Sequence, residues 1–418
     1  MRNRPGILRN ALRSRIRLLA FTPALLCAMA VIATPFAQAQ TLHVLYALTD
    51  QPGGNLTGLV LDQAGNLYGT TSNGSVESVF ELKHEHSSWL FQPRYYFHPQ
   101  NDGRGPYAPV VFGPEGALYG TTIQGGNYGY LGTVYSVQPS ADSCESALCL
   151  WDETRIYWFG GSNNIHDGSD PFTGPLIFDP AGNIYGTTLD GGLYGEGTAY
   201  QLVKTQNGWA ENIIANLRNN DSPTNTNSGL TFDAAGNLYG TIGFAGAYGQ
   251  VYELTPSGQA WQQQTIYSFQ GGNDGAFPVG GLVFDAAGNA YGTTGGAYQV
   301  EPATVFQLSP QGDGTWRETV LYVFPGNGPI NNLTMDAAGN IYGSTPGTPG
   351  INPDHYGMVF KLSPVGNSWT FTQLYEFTGG DDGAFPNGIV AVDSAGNLYG
   401  VCDAAGAHER GTIWEITP

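Results

Sequence analysis

The chain is poor in cations, and many of those it has are bunched at one end. Six of its 15 Lys and Arg residues are Arg2, Arg4, Arg9, Arg13, Arg15 and Arg17. Beyond residue 39, nine basic side chains face 34 acidic ones, a net charge of −25, and the only lysines are Lys83, Lys204 and Lys361. Nucleic acid and anionic lipid are both recognised by cations that displace counterions, so neither is expected as a partner. Long apolar runs are also missing. After the N-terminal region nothing approaches the ~20 residues that span a bilayer. No stretch repeats its apolar residues at helical spacing. Glycine is abundant, with 61 residues, but it does not fall at every third position, which excludes collagen. Gly-x-Ser-x-Gly, Walker A and Rossmann fingerprints are absent, so nucleotide chemistry has no support.

What is present points to β-structure. Gly and Pro make up about a fifth of the 418 residues, aromatics 12% and charged residues only 12%. A disordered chain would carry more charge and fewer rings. At the N-terminus the arginines precede a mostly apolar run, Leu18 to Ala33, and the small-residue tripeptide Ala37-Gln38-Ala39. That order predicts a secretory signal peptide over residues 1–39, with cleavage before Gln40. Pro23 and Pro35 argue against an uncleaved anchor, and Leu26 before Cys27 argues against a lipoprotein. An exported chain permits disulfides, and Cys144 and Cys149 lie five apart. Cys402 then reads as a small buried apolar residue.

Internal repetition decides the fold. The segment Asp62-Gln-Ala-Gly-Asn-Leu-Tyr-Gly-Thr-Thr71 recurs six more times, centred on Tyr119, Tyr185, Tyr239, Tyr291, Tyr342 and Tyr399. Each copy follows an apolar stretch such as Gly281-Leu-Val-Phe284 and precedes another such as Gly249-Gln-Val-Tyr-Glu-Leu254. A further element places Trp eight residues before Phe or Leu, as in Trp89/Phe97 and Trp369/Phe377. Each unit therefore reads as four short strands, a to d, with a hairpin of Asp-x-Ala-Gly-Asn between a and b. The prediction is an all-β, seven-bladed β-propeller of four-stranded antiparallel blades, a single domain over 40–418. There are seven copies of a, b and c but only six of d between them. The seventh d is Leu42-His-Val-Leu-Tyr-Ala-Leu48, so the N-terminal strand is expected to close the ring and remove an open edge.

The units Asp-x-Ala-Gly-Asn-Leu-Tyr-Gly-Thr-Thr and Gly-Thr-Val-Phe-Glu-Leu, with Gly379-Gly-Asp-Asp-Gly-Ala-Phe-Pro386 and Gly271-Gly-Asn-Asp-Gly-Ala-Phe-Pro278, resemble the bacterial GloVer-type tandem-repeat exported proteins. The resemblance covers nearly all of the chain after residue 39. It implies a secreted or cell-surface module, with the periplasm as a further location, and it implies no established enzyme activity. Proteins of that kind carry varied C-terminal anchors, whereas this sequence stops at Pro418, which favours release. The hairpin is also similar, less specifically, to those of NHL and virginiamycin B lyase propellers.

If strand a lines the channel, the d–a and b–c connections share one face. The d–a loops carry a recurring Asp: Asp102, Asp167, Asp221, Asp274 and Asp382, with Asp50 near the N-terminal equivalent and Asn327 in the sixth interblade loop. The b–c loops bring Tyr128, Tyr130, Tyr194, Phe244, Tyr248, Tyr298 and Tyr356 to the same face. Carboxylates beside aromatic rings suit carbohydrate, and carboxylates alone would suit Ca²⁺. Asp102, Asp167, Asp274, Asp382, Tyr128, Tyr194, Tyr248 and Tyr356 are the candidate ligand-binding residues. Each also has a structural reading, since an Asp-Gly loop needs its Asp to turn and repeated tyrosines pack between blades. His355 and His408, near Asp354 and Glu409, are the only catalytic candidates, as an acid–base pair. His84-Glu-His86 has strand spacing for two imidazoles but no third metal ligand nearby.

Two functions stay open. One is an exported binding or scaffolding module, for extracellular carbohydrate or another surface protein, acting as a monomer without a required cofactor. The other is a propeller lyase or hydrolase acting on an extracellular polysaccharide or cyclic ester. An enzyme should break the repeat symmetry with a close cluster of His, Arg, Lys or unpaired acid.

Overall fold

The computed structural model describes residues 40–418 apart from 50–54, 73, 75, 87, 99–101, 126–130, 141–148, 161–166, 172–173, 218–227, 244–246, 259, 296–300, 326–327, 330 and 348–354. The predicted signal peptide, and with it the expected cleavage before Gln40, lies outside the described residues. So do Tyr128, Tyr130, Asp50, Asp221, Phe244, Tyr298, Asn327, Asp354 and Cys144.

Six of the seven a–b hairpins are each built by one carboxylate. Asp62 Oδ1 accepts the backbone N–H groups of Ala64 (2.8 Å) and Asn66 (2.9 Å), and its Oδ2 accepts Asn66 Nδ2 (2.8 Å) and the Tyr68 hydroxyl (3.1 Å). The same four donors recur at Asp179, Asp233, Asp285, Asp336 and Asp393. Gly65 sits there at φ +84° with open space around it, so conformation and not crowding requires glycine. The second unit has Gly113 in place of the Asp, and its Tyr119 hydroxyl donates to Glu115 instead.

Seven four-stranded antiparallel sheets follow in chain order and form the ring of a seven-bladed β-propeller. Blade 4 is typical: Thr231–Phe232, Leu238–Ile242, Gln250–Ser257 and Ala260–Ser268 pair as a-b-c-d. Strands b and c are the most buried, and strand d at the rim is exposed or half-buried along its length. Blade 7 completes itself with the start of the chain. Thr41–Ala47 pairs antiparallel with Thr412–Thr417, in the register Leu42↔Ile416 and Val44↔Trp414. The N-terminal strand thus supplies the missing d and closes the ring, as the repeats predict.

Aromatic rings join one blade to the next. The repeat tyrosine of strand b meets the Phe of the following blade's strand a edge-on: Tyr68–Phe112 at 5.4 Å, Tyr119–Phe178 at 5.0 Å, Tyr185–Phe232 at 5.1 Å. It also meets that blade's strand-d Trp, and Tyr399 against Trp89 at 6.5 Å carries the contact across the closure. Such pairs contribute about 0.5–1.5 kcal/mol each beyond burial. Near the axis the blades approach through glycine. A Cβ on Gly58 would lie 2.8 Å from the Ile389 nitrogen, and one on Gly174 would lie 2.1 Å from the Gly229 Cα.

Candidate functional site

The recurring loop aspartates close their own loops. Asp382 Oδ2 accepts the Tyr375 hydroxyl (3.0 Å) and the Thr378 backbone N–H (2.8 Å), while its Oδ1 takes the Thr378 hydroxyl (2.6 Å). Asp274 takes the Tyr267 hydroxyl and the Gln270 N–H, and Asp102 takes the Tyr95 hydroxyl and the His98 N–H. Asp167 accepts from Tyr157 (3.2 Å) and from the Gly160 N–H (2.6 Å). The next residue is glycine because the chain passes close to strands b and c there. A Cβ on Gly103 would clash with Thr122, and one on Gly275 with Thr294 and Thr304.

The candidate aromatics divide. The Tyr248 ring packs over Gly271 and the Tyr356 ring over Gly379, which fixes each b–c loop onto the following d–a loop. Tyr194 is exposed on its loop beside exposed Leu193, and Tyr128 lies outside the described residues. His355 faces Glu376 (Nδ1 to Oε1 3.3 Å), whereas His408 is exposed on the turn closed by the Glu409 N–H to the Gly406 carbonyl. No hydrogen bond or ion pair joins these two histidines among the described residues. The His84 ring lies against Trp89 at 4.7 Å. Among the described residues no group of three His, Cys, Asp or Glu side chains could hold a metal ion. Cys149 is disulfide-bonded, and its expected partner Cys144 lies outside the described residues. Cys402 is free and buried, and burial pushes its thiol well above the ordinary value.

Repeat symmetry breaks most clearly where the channel opens on the b–c and d–a face. The residue that leads into strand a is Gly58, Pro109, Pro175, Gly229 and Gly281 in blades 1 to 5, but Asn332 in blade 6 and Ile389 in blade 7. Four residues after the repeat tyrosine stand Ser72, Ile123, Leu189, Gly243, Gly295 and Pro346, and then Asp403. A cavity of about 100 Å³ lies here, lined among others by Asn55, Ser72, Tyr107, Asn331, Asn332 and Asn387.

The amides in this mouth are oriented by their partners. Asn387 Nδ2 donates to Asp403 Oδ2 (2.9 Å), and Asn387 Oδ1 accepts Asn331 Nδ2 (3.1 Å) and the Gly388 N–H (2.8 Å). Asn332 Oδ1 accepts the Gly281 N–H (2.5 Å). Among the described residues these bonds leave Asn331 its Oδ1 as an acceptor and Asn332 its Nδ2 as a donor. Burial raises the Asp403 carboxyl to about 6, against the opposing hydrogen bonds from Asn387 and the Leu56 N–H, and among the described residues its Oδ1 is buried without a partner. Asp403 therefore stands behind Asn387 as its anchor. Ca²⁺ needs six to eight oxygens, and one carboxylate already bonded to an amide does not offer such a set. A neutral donor–acceptor pair in a polar cavity fits hydroxyl groups. Asn331 and Asn387 escaped the sequence reading, although aligning the seven units would have exposed Asp403 and Asn332 as departures.

A family model for the Gloeobacter/Verrucomicrobia repeat matches residues 34–242 and again 152–352. No curated protein matches the chain in sequence. Among solved structures, virginiamycin B lyase from Staphylococcus aureus superposes with a TM-score of 0.53 at 11% identity, over 91% of this chain and 99% of that one. The periplasmic gluconolactonase of Pseudomonas aeruginosa gives 0.52 at 15% identity, over 86% and 96%. At such identities these likenesses establish the propeller fold alone.

Proposed function

The chain belongs to the Gloeobacter/Verrucomicrobia repeat family, and on that premise we propose that it is an exported binding module whose channel mouth takes a hydroxyl-rich ligand, a carbohydrate unit. The observation that carries this reading is the convergence of Asn331, Asn332 and Asn387 on one polar cavity, with Asn332 standing where blades 1 to 5 present Gly or Pro. A sugar hydroxyl both donates and accepts, and the free halves of Asn331 and Asn332 match that need. Export is supported by the N-terminal arginines, apolar run and Ala37-Gln38-Ala39 site. A lyase or hydrolase would need an acid–base group open to the cavity. Asp403 lies behind Asn387, which favours binding over turnover.

The test is a glycan-array screen of residues 40–418, with and without Ca²⁺, repeated on Asn331→Ala and Asn332→Ala. Binding that survives Ca²⁺ removal and is lost in both variants is the expected result. A screen with no ligand, or variants that bind as the parent does, would sink the reading.

A further inference from the structure

The polar bonds at the channel mouth form a chain that crosses from blade 6 through blade 7 to blade 1. In blades 1 to 4 a hydroxyl on strand b ties each blade to the next: Thr70 donates to the Pro106 carbonyl (2.8 Å), Thr121 to Pro171 (2.8 Å), Thr187 to Ser228 (2.9 Å) and Thr241 to Gly280 (3.2 Å). Blade 7 has Val401 at that place and cannot make the bond. In blade 6 the place is Ser344, whose Oγ is buried without a partner among the described residues. Two amides and one carboxylate span these seams instead. Asn331 of blade 6 donates to Asn387 of blade 7, Asn387 donates to Asp403, and Asp403 accepts the Leu56 N–H of blade 1.

The direction of the chain is fixed. The Gly388 N–H can only donate, so the Asn387 atom it meets is the oxygen, and Nδ2 of that amide must face Asp403. Asn331 Nδ2 is drawn to the same oxygen, which leaves Asn331 Oδ1 as the free end among the described residues. Asn331 and Asn387 line the cavity, whereas Asp403 stands outside its lining.

We propose that Asp403 is the positioning residue of the mouth: its ionised carboxylate holds Asn387, and through it Asn331, in the binding orientation, and a proton on Asp403 weakens that hold. The inference rests on the channel-mouth reading for its ligand and deepens it. A bond to an ionised acceptor is about twice as strong as one to a neutral acceptor, so the proton loosens the chain without emptying it. Oδ1, buried without a partner among the described residues, is open to that proton. The groups around Asp403 leave its charge to burial. Leu56 of blade 1 and Asn387 of strand a are uncharged, Cys402 beside it is a neutral thiol, and Asp382 is held in its own loop by Tyr375 and Thr378. His408, Glu409 and Arg410, on the loop that follows, are exposed.

Residues 40–418 carrying isotope-labelled asparagine would be titrated from pH 8 to pH 4.5, with side-chain amide signals assigned by the Asn331→Ala, Asn332→Ala and Asn387→Ala variants. The Asn387 and Asn331 signals should move together with a midpoint near 6, while Asn332, tied to Gly281 on another seam, stays still. Asp403→Asn, or Asp403→Ser if the first does not fold, should abolish the movement. Replacing Glu153, Glu211 and Glu318 with Gln, away from the mouth, should keep it. On a glycan array the parent should bind about fivefold more weakly at pH 5 than at pH 7.5, the size of one hydrogen bond, and Asp403→Asn equally at both. A stationary Asn387 signal, a movement that survives loss of Asp403, an Asn332 signal that moves in step, or parent binding that is equal at both pH values would overturn the assignment. An array without hits at either pH would sink the carbohydrate reading alone, since the amide signals are read without ligand.

Discussion

The seams between blades come in two kinds that use the same slot. Two residues after the strand-d Trp stand Glu153, Glu211 and Glu318 in blades 2, 3 and 5, but Phe91 and Phe371 in blades 1 and 6. At the aromatic seams the preceding blade's tyrosine stacks on the Phe: Tyr322 on Phe371 at 3.9 Å and 8°, Tyr46 on Phe91 at 4.7 Å and 12°. At the acidic seam of blade 3, the Tyr157 hydroxyl lies 3.1 Å from Glu211 Oε2 and 3.2 Å from Asp167 Oδ2. One phenol proton serves two carboxylates there, so burial favours their neutral forms. Burial, with the Asp274 charge nearby, lifts Glu318 to about 7, as burial and Asp102 lift Glu153. Glu211 and Asp167 are both raised, chiefly by burial. One slot therefore yields a seam indifferent to pH and a seam that answers to it.

The aromatic seam should be the more costly to break. Phe371→Ala removes a ring in contact with Tyr322, Phe324 and Phe360, and a loss of about 3–5 kcal/mol is expected in denaturant titrations, equal at pH 5.5 and pH 8.5. A loss that varies with pH would erase the distinction.

Next in size is the pH response of the acidic seams. A carboxyl raised in the folded state binds its proton between the unfolded value near 4.5 and the folded value near 7. Stability from it is full below that window and is lost as pH rises through it. The melting temperature should therefore climb as pH falls from about 8.5 to about 5.5. Replacing Glu153, Glu211 and Glu318 with Gln should flatten the profile and stabilise the protein at pH 8.5, by about 1–2 kcal/mol per seam after allowing for solvent screening. The gain has a lower limit. At Asp285 and Asp336, burial opposes ionisation but the bonds from Asn289 and Asn340 outweigh it, so both carboxyls lie below their ordinary value. Their contribution is lost as pH falls through those depressed values. A melting temperature that rises with pH across 5.5–8.5 would refute the acidic-seam account.

The smallest effects concern single hydroxyls. Tyr157→Phe should cost about 1–2 kcal/mol, because two buried acceptors lose their donor, while Tyr322→Phe stays within about 0.5 kcal/mol. Equal costs would mean that the phenol plays no part in the difference.

The blades were legible because their chemistry is local and repeated. Asp62 and its equivalents meet their four donors within six residues, and Trp89 and Phe97 mark strand d by spacing alone. The closing strand was legible by subtraction. The channel mouth was not, because its meaning arises only when distant units converge: Asn331 and Asn387 lie 56 residues apart and meet at the axis. Asp403 was hidden differently, at the end of a strand whose neighbours Val401 and Cys402 read as core. The loop aspartates were legible as positions, yet nothing in a single Asp-Gly says that a strand-d tyrosine seven or ten residues earlier will occupy it.

Closure by Thr41–Ala47 also sets an order of events. Its partner strand, Thr412–Thr417, lies about 370 residues away, one of the most non-local contacts a chain of this length can make, and loop closure of that span delays it. Blades 1 to 6 can each form from consecutive hairpins as they emerge, whereas blade 7 must wait. A chain delivered N-terminus first would therefore present its opening strand early and pair it last. Until then the molecule is an open arc with one bare edge, and a second arc in the same state could fill that edge with its own first strand. The feature that seals the finished ring is thus also the point at which two unfinished ones could exchange strands.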